Sequence, residues 1–278
     1  MNPIGITQGR LSPPTGGRIQ SFPIRTWQDE FFLAQKAGLQ CIEWVYQVES
    51  EGSNPLRTDN GVEEIRKTIG ESGVTVSSVT ADYYMTERLV AADGTPRESA
   101  IQHLKWLLAR AALVSARYVM TAFVDGGKLG SDQEIAGLCS VLEMMKSDID
   151  KTGVHIYMET DLSPAVWREI LENASHPGIR VCYDTGDRAS QGHTPAEDFK
   201  HLGKWLGSVH MKDRLLGGSS VPLGAGSADL STCVRLFQEV GYTGPLILQT
   251  ARGDNGDELG LTIRNRAFLE NILRKMNT

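Results

Sequence analysis

The chain has 278 residues, 40% of them hydrophobic and 22% charged, with a net charge of −6. That length suits one (β/α)8 barrel of about 250 residues, and the composition suits a filled core. The acidic balance argues against broad nucleic-acid or anionic-membrane binding, no apolar run approaches the roughly 20 residues that span a bilayer, and the N-terminus lacks a secretory pattern.

Taken in order, the chain alternates short apolar runs with amphipathic segments. Strands are predicted over 3–7, 39–45, 74–80, 116–122, 154–159, 179–183, 206–210 and 245–249, and helices over 26–37, 61–72, 97–114, 132–151, 164–173, 195–201, 230–240 and 257–276. Continuous apolar strands separated by helices imply a parallel sheet covered on its outer face, and eight such units close into a barrel. The whole of 1–278 therefore reads as one α/β domain, a TIM barrel. An open doubly wound sheet would carry a G-x-G-x-x-G turn after its first strand, and none is present.

Punctuation agrees. Gly38, Gly73, Gly153 and Gly241 each stand between a helix and the next strand, where glycine ends helices. The segments that follow strands, at 8–25, 46–60, 81–96, 123–131 and 211–229, are longer and hold much of the Gly, Pro, Arg and Asp. Long loops at one end and tight turns at the other place the chemistry at the strand C-termini. Cys41, Cys139, Cys182 and Cys233 lack C-x-x-C spacing and read as small core residues in a reducing, cytoplasmic setting.

Four consecutive strands end on a metal-ligating side chain. LGSVHMKD (206–213) presents His210, HIYMETD (155–161) Glu159, IRVCYDTGD (179–187) Asp184, and GPLILQT (244–250) Gln249. Adjacent strand tips converge in a barrel, so these four form a candidate site for one divalent cation. Three oxygens and one imidazole suit Mn²⁺, Mg²⁺, Co²⁺ or Zn²⁺ alike. Around them stand candidate substrate contacts. Gln8 and Arg10 follow the first strand, Glu43 and Trp44 end the second, and Asp187, Lys212 and Arg214 follow the sixth and seventh. Tyr83 and Tyr84 could wall one face of a substrate. Gly224 and Gly226 in LGAGSAD lack the Lys-Ser/Thr of a nucleotide loop, and the plainer reading is a turn into a helix capped by Asp229.

These stretches together resemble the xylose isomerase-like barrel superfamily, in particular its sugar-phosphate isomerases and epimerases. The likeness rests on GITQGRLSP at 5–13, IEW at 42–44, METD at 158–161, YDTGD at 183–187, HMKD at 210–213, LGAGSAD at 223–229 and GYTGPLILQT at 241–250. It implies that Glu159, Asp184 and His210 bind a divalent metal and that Glu159 is one of two catalytic acid/base carboxylates. The second catalytic position, usually glutamate and also a ligand, is Gln249 here. An amide oxygen can coordinate, but an amide does not exchange a proton near pH 7. Asp187 departs too, standing where relatives often carry Asn or His. The implied activity is isomerisation or epimerisation of a sugar or sugar phosphate by proton abstraction next to a carbonyl. A dehydratase acting on a polyol or cyclitol ketone needs only the one base, and a sugar-binding barrel without turnover needs none. Glu43, Asp161 and Asp187 are the candidates to replace the lost acid. The resemblance also implies a homodimer or homotetramer, while the superfamily's endonuclease branch would want several metals and a basic face.

Overall fold

Each apolar run forms a strand within about two residues of where its pattern places it. The computed structural model describes residues 2–253 and 256–276. Its strands are β1 (Ile4–Thr7), β2 (Cys41–Val45), β3 (Thr75–Ala81), β4 (Tyr118–Phe123), β5 (His155–Thr160), β6 (Ile179–Asp184), β7 (Leu206–Met211), β8 (Asp213–Arg214), β9 (Ser220–Val221) and β10 (Leu246–Leu248). Eight of them close a parallel ring in the order β1-β10-β7-β6-β5-β4-β3-β2, and β8 and β9 form a separate antiparallel ribbon. The helices are α1 (Trp27–Lys36), α2 (Asp59–Ser72), α3 (Tyr83–Thr86), α4 (Glu98–Leu113), α5 (Asp132–Thr152), α6 (Pro164–Ala174), α7 (Thr185–Ser190), α8 (Pro195–Leu202), α9 (Leu230–Glu239) and α10 (Glu258–Met276). The protein is a single-domain (β/α)8 barrel.

The two-residue period of a strand decides what faces the axis. Along β5, Tyr157 and Glu159 fall on one side; along β6, Cys182 and Asp184; along β7, Ser208 and His210. Tyr157 and Cys182 join Tyr118, Met120 and Ala122 of β4 in a buried cluster inside the ring, where Tyr118 and Tyr157 stack with centroids 4.3 Å apart. That layer fills the barrel beneath the polar tips. The alternate residues face the helices. Trp44 of β2 packs with Phe22 at 5.3 Å and Trp27 at 5.4 Å.

The helices start and stop on local chemistry. Ser131 caps α5 by accepting the Glu134 N–H at 3.2 Å, and Asp229 caps α9 through Thr232 N–H at 2.9 Å. Gly73 and Gly153 end α2 and α5 with φ of 70° and 69°. No helix among the described residues is long and apolar enough to cross a membrane, and Cys41, Cys139, Cys182 and Cys233 are free thiols.

Candidate active site

Three elements fix one imidazole. His210 at the end of β7 is 0% exposed, and its Nε2 lies 2.8 Å from Glu43 Oε2. Glu43, itself 0% exposed, also accepts from Ser78 Oγ at 3.0 Å and Thr7 Oγ1 at 3.3 Å. A register shift between Ile42 and Glu43 in the β2–β3 pairing sits at the residue that is turned to the axis. Burial opposes a charge on His210, yet Cys182 and Glu43 together raise its pKa well above the ordinary imidazole value; in its neutral form, with the Nε2 hydrogen facing Glu43, the ring would offer the Nδ1 lone pair to a cation. That atom lies 3.6 Å from Glu159 Oε2 and 3.7 Å from Asp184 Oδ2, and it is buried without a hydrogen-bond partner.

Asp184 divides its two oxygens. Oδ1 caps α7, accepting from Gly186 N–H at 2.9 Å and Asp187 N–H at 2.7 Å. Oδ2 is buried and unpartnered in hydrogen bonding. Two such polar atoms without hydrogen bonds, side by side, carry a desolvation cost that a cation relieves once the imidazole is neutral. A cation bound at about 2.0–2.2 Å can touch donors 3.6–3.7 Å apart. The residues present therefore fit a divalent ion. Two groups of three ligating side chains among the described residues have their donor atoms within 4.8 Å of one another, Glu159 with Asp184 and Asp187, and Glu159 with Cys182 and His210.

Lys212 closes this cluster. Its Nζ lies 2.9 Å from Asp187 Oδ1, 3.2 Å from Gln249 Oε1 and 3.5 Å from Asp184 Oδ2. Arg214 also holds Asp187, at 2.7 Å. Burial, followed by the charges of Asp184 and Asp187, raises the Glu159 carboxyl well above the ordinary carboxylate range. Burial would raise Asp187 as well, but Lys212 and Arg214 hold it at about 2. The two acids thus hold their protons very differently within one cavity.

That cavity, about 370 Å³, opens at the strand C-termini. Glu159, Asp187, Lys212 and Gln249 line it together with Arg10, Gln20 and Asp82. Arg10 donates to Thr250 O at 2.9 Å and Gln20 Oε1 at 3.1 Å, and Gln20 donates to Asp82 Oδ2 at 2.7 Å. Burial pushes the Asp82 carboxyl up to about 6. The loop bearing Arg10 is tied down by Glu30 of α1, which accepts from Gly9 N–H at 2.6 Å and Leu11 N–H at 3.0 Å. Gly9 has φ +85°, and a Cβ there would stand 2.2 Å from Ser21 O, so the TQGR turn requires glycine.

The structure brings Glu159, Asp184, His210, Gln249, Asp187, Lys212 and Arg10 to one end of the barrel. Gln8, Glu43, Trp44 and Arg214, expected to touch substrate, are not among the residues lining the cavity. Gln8 is 0% exposed and accepts from Val45 N–H at 3.1 Å, which ties β1 to β2. Glu43 is fully buried against His210 Nε2. Trp44 is outside the ring and donates to Asn54 Oδ1 at 3.0 Å. Arg214 does not line the cavity; it holds Asp187 from behind and donates to Gly218 O. Tyr83 and Tyr84 surround His103, one stacked at 4.1 Å and the other bonded through its hydroxyl at 2.9 Å. The amides of Gly224 and Gly226 wrap the Asp213 carboxylate at 2.9 Å each. Asp161, a candidate acid, pairs with Lys128 at 2.7 Å. Asp82, Gln20 and Cys182 are the residues that sequence reasoning missed. Asp82 follows the tip of β3 directly and could have been found by the same strand-end rule.

Known folds agree with this architecture. D-psicose 3-epimerase, solved in the presence of D-fructose, is 14% identical with a TM-score of 0.75, covering 98% of this chain and 99% of its own. A xylose isomerase-like TIM barrel protein from Mycobacterium smegmatis, in complex with magnesium, is 18% identical with a TM-score of 0.73, over 99% and 98%. The apo form of 3-keto-D-glucoside 4-epimerase from E. coli is 16% identical with a TM-score of 0.72, over 98% and 100%. At such identities the likeness is one of fold. Among curated proteins no relative matches significantly. The family model described as xylose isomerase-like TIM barrel matches residues 31–272, and the chain belongs to that family.

Proposed function

We propose that the protein is a divalent-metal-dependent isomerase or epimerase of a sugar or sugar phosphate, with Glu159 as the base. One observation carries this reading: two buried polar atoms without hydrogen-bond partners, His210 Nδ1 and Asp184 Oδ2, converge with Glu159 at the edge of a polar cavity. Glu159, Asp184 and His210 would hold the ion, with the Gln249 amide oxygen as a fourth donor. A bound divalent cation would supply Lewis-acid stabilisation of negative charge developing on a substrate carbonyl.

The chain's own residues do the rest. Glu159, as carboxylate, takes the proton from the carbon next to the carbonyl, and the resulting enediolate receives it back from the same group. Return to the neighbouring carbon on the same face is isomerisation. Inversion at a carbon needs a second acid, which Gln249 cannot be. Asp187 is held by Lys212 and Arg214, and Glu43 is committed to His210. Of the two other carboxyls on the cavity wall, Asp125 is exposed, whereas Asp82 has uncharged hydrogen-bond partners and a pKa pushed up to about 6. We assign it as the second acid if inversion occurs. Arg10 and Lys212 would orient substrate oxygens. The free thiols fit a cytoplasmic setting.

The test is incubation of the Mn²⁺-loaded protein with ketoses and their phosphates in D₂O, read by NMR. Deuterium should enter at the carbon next to the carbonyl of at least one substrate. Inertness across the panel, with sugar binding intact, would leave a binding barrel in place of an enzyme.

A further inference from the structure

Two departures from the family pattern, Gln249 and Asp187, meet at one side chain. The Lys212 ammonium bridges them, 3.2 Å from Gln249 Oε1 and 2.9 and 3.0 Å from the two oxygens of Asp187. It is also 3.5 Å from Asp184 Oδ2, the oxygen left without a hydrogen bond beside His210. A lysine in this place already offers positive charge to two of the four donors assigned to the metal.

The seat is built. The Lys212 side chain is only 14% exposed. Its backbone N–H donates to Thr185 Oγ1 at 3.0 Å, and the Thr185 hydroxyl lies 2.6 Å from Lys212 O. Gly186 presses on its stem, since a Cβ on that glycine would stand 2.8 Å from Lys212 Cγ. The lysine backbone and stem are clamped to the start of α7, which leaves the ammonium a short arc between Gln249 and Asp187. Gln249 suits this arrangement: its amide oxygen accepts from the ammonium without the charge that would bind it tightly, as a glutamate would.

We propose that Lys212 is a tethered cation that competes with the divalent ion for Asp184 Oδ2 and Gln249 Oε1, so that metal entry requires the ammonium to withdraw onto Asp187. This rests on the metal site proposed above. It makes Asp187 the acceptor that receives the displaced charge and makes the metal of this barrel weakly held and exchangeable. Repulsion between the two cations at this range is large wherever the local dielectric is low.

The experiment is calorimetric titration of metal-free protein with Mn²⁺, comparing the parent with Lys212→Met, Lys212→Gln, Gln249→Glu and the Lys212→Met/Gln249→Glu double variant. Lys212→Gln keeps a donor for Asp187 should the methionine variant fold poorly. Removing the ammonium should tighten Mn²⁺ binding by at least about tenfold. Gln249→Glu should gain more in the Lys212→Met background than in the parent, because in the parent the new carboxylate is shared with the lysine. Equal or weaker Mn²⁺ binding by both lysine variants would overturn the competition while leaving the metal site standing. If neither parent nor variants bind Mn²⁺, the metal reading fails and the competition with it.

Discussion

The two ends of this barrel differ in a way that cavity size alone would misjudge. The larger hollow, about 620 Å³, lies at the strand N-termini among Cys41, Arg66, Val76, Val114, Arg117 and Pro245. The smaller, about 370 Å³, lies at the C-termini. Both groups of converging ligating side chains found among the described residues include Glu159, which lines the smaller one. At the N-terminal end the tight αβ turns bring in few groups, and polar side chains there can face solvent. At the C-terminal end the period of the strands turns Glu159, Asp184 and His210 toward one axis, and the filled layer beneath leaves them no water from below. What marks a site is ionisable groups forced together with their acceptors unsatisfied, more than room.

The sharpest way to break that contrast is Glu159→Gln. As the proposed base, its loss should lower deuterium exchange by about 10²–10⁴-fold with the fold retained. A pH signature accompanies it. The fold raises the pKa of Glu159, so it favours the protonated form; the associated stability is complete below the ordinary carboxylate pKa and is lost as pH rises through the raised value. Glu159→Gln mimics the protonated form, so metal-free Glu159→Gln should gain in Tm over the parent as pH rises through that window. A Tm difference that shrinks with pH would contradict the assignment.

Asp82→Asn comes next. If Asp82 donates the second proton, inversion should fall by about 10²-fold, while exchange at the carbon served by Glu159 stays within a small factor. The two readouts separate a partner in inversion from a residue that shapes the cavity. Equal loss of both would reduce Asp82 to a binding group.

Glu43→Gln has a smaller expected effect, and it is one of affinity. A carboxylate behind a ligating histidine fixes the ring and raises its basicity, and losing it typically costs about 10–100-fold in metal binding. Glutamine keeps the shape and can still accept from His210 Nε2 or Ser78. Mn²⁺ titration of Glu43→Gln against the parent reads this directly. Unchanged affinity would mean that the 2.8 Å contact only fills the barrel.

Much of the frame was legible because eight apolar runs and four glycine stops each act locally. The short helices α3 and α7 were not, since four and six residues are too few to display a period. The strand tips bearing Glu159, Asp184 and His210 could be read from pattern alone. The sides of β2 could not. Glu43 and Trp44 are neighbours on a strand that is buried on both faces, and which of them points inward depends on a register shift formed only in the pairing with β3. Asp187 and Lys212 read as separate substrate contacts, and their mutual pairing was hidden for a similar reason. Their pairing comes from α7 folding back on the end of β7, a tertiary contact that no spacing announces.

Arg117→Ala carries the smallest expected effect and is the control for the opening contrast. Arg117 is exposed and lines the larger cavity at the opposite end from Glu159. Only its backbone is used by the barrel, its N–H donating to Ser77 O at 2.9 Å and its carbonyl accepting from His155 N–H at 3.0 Å. Alanine keeps both bonds. The change should therefore leave stability within about 0.5 kcal/mol and both Mn²⁺ affinity and deuterium exchange near those of the parent. A loss of exchange comparable to that of Glu159→Gln, with the fold intact, would move the chemistry to the strand N-termini. The converging side chains at the other end would then have to be explained as structure alone, which the lack of any hydrogen bond to Nδ1 of His210 and Oδ2 of Asp184 makes hard to do.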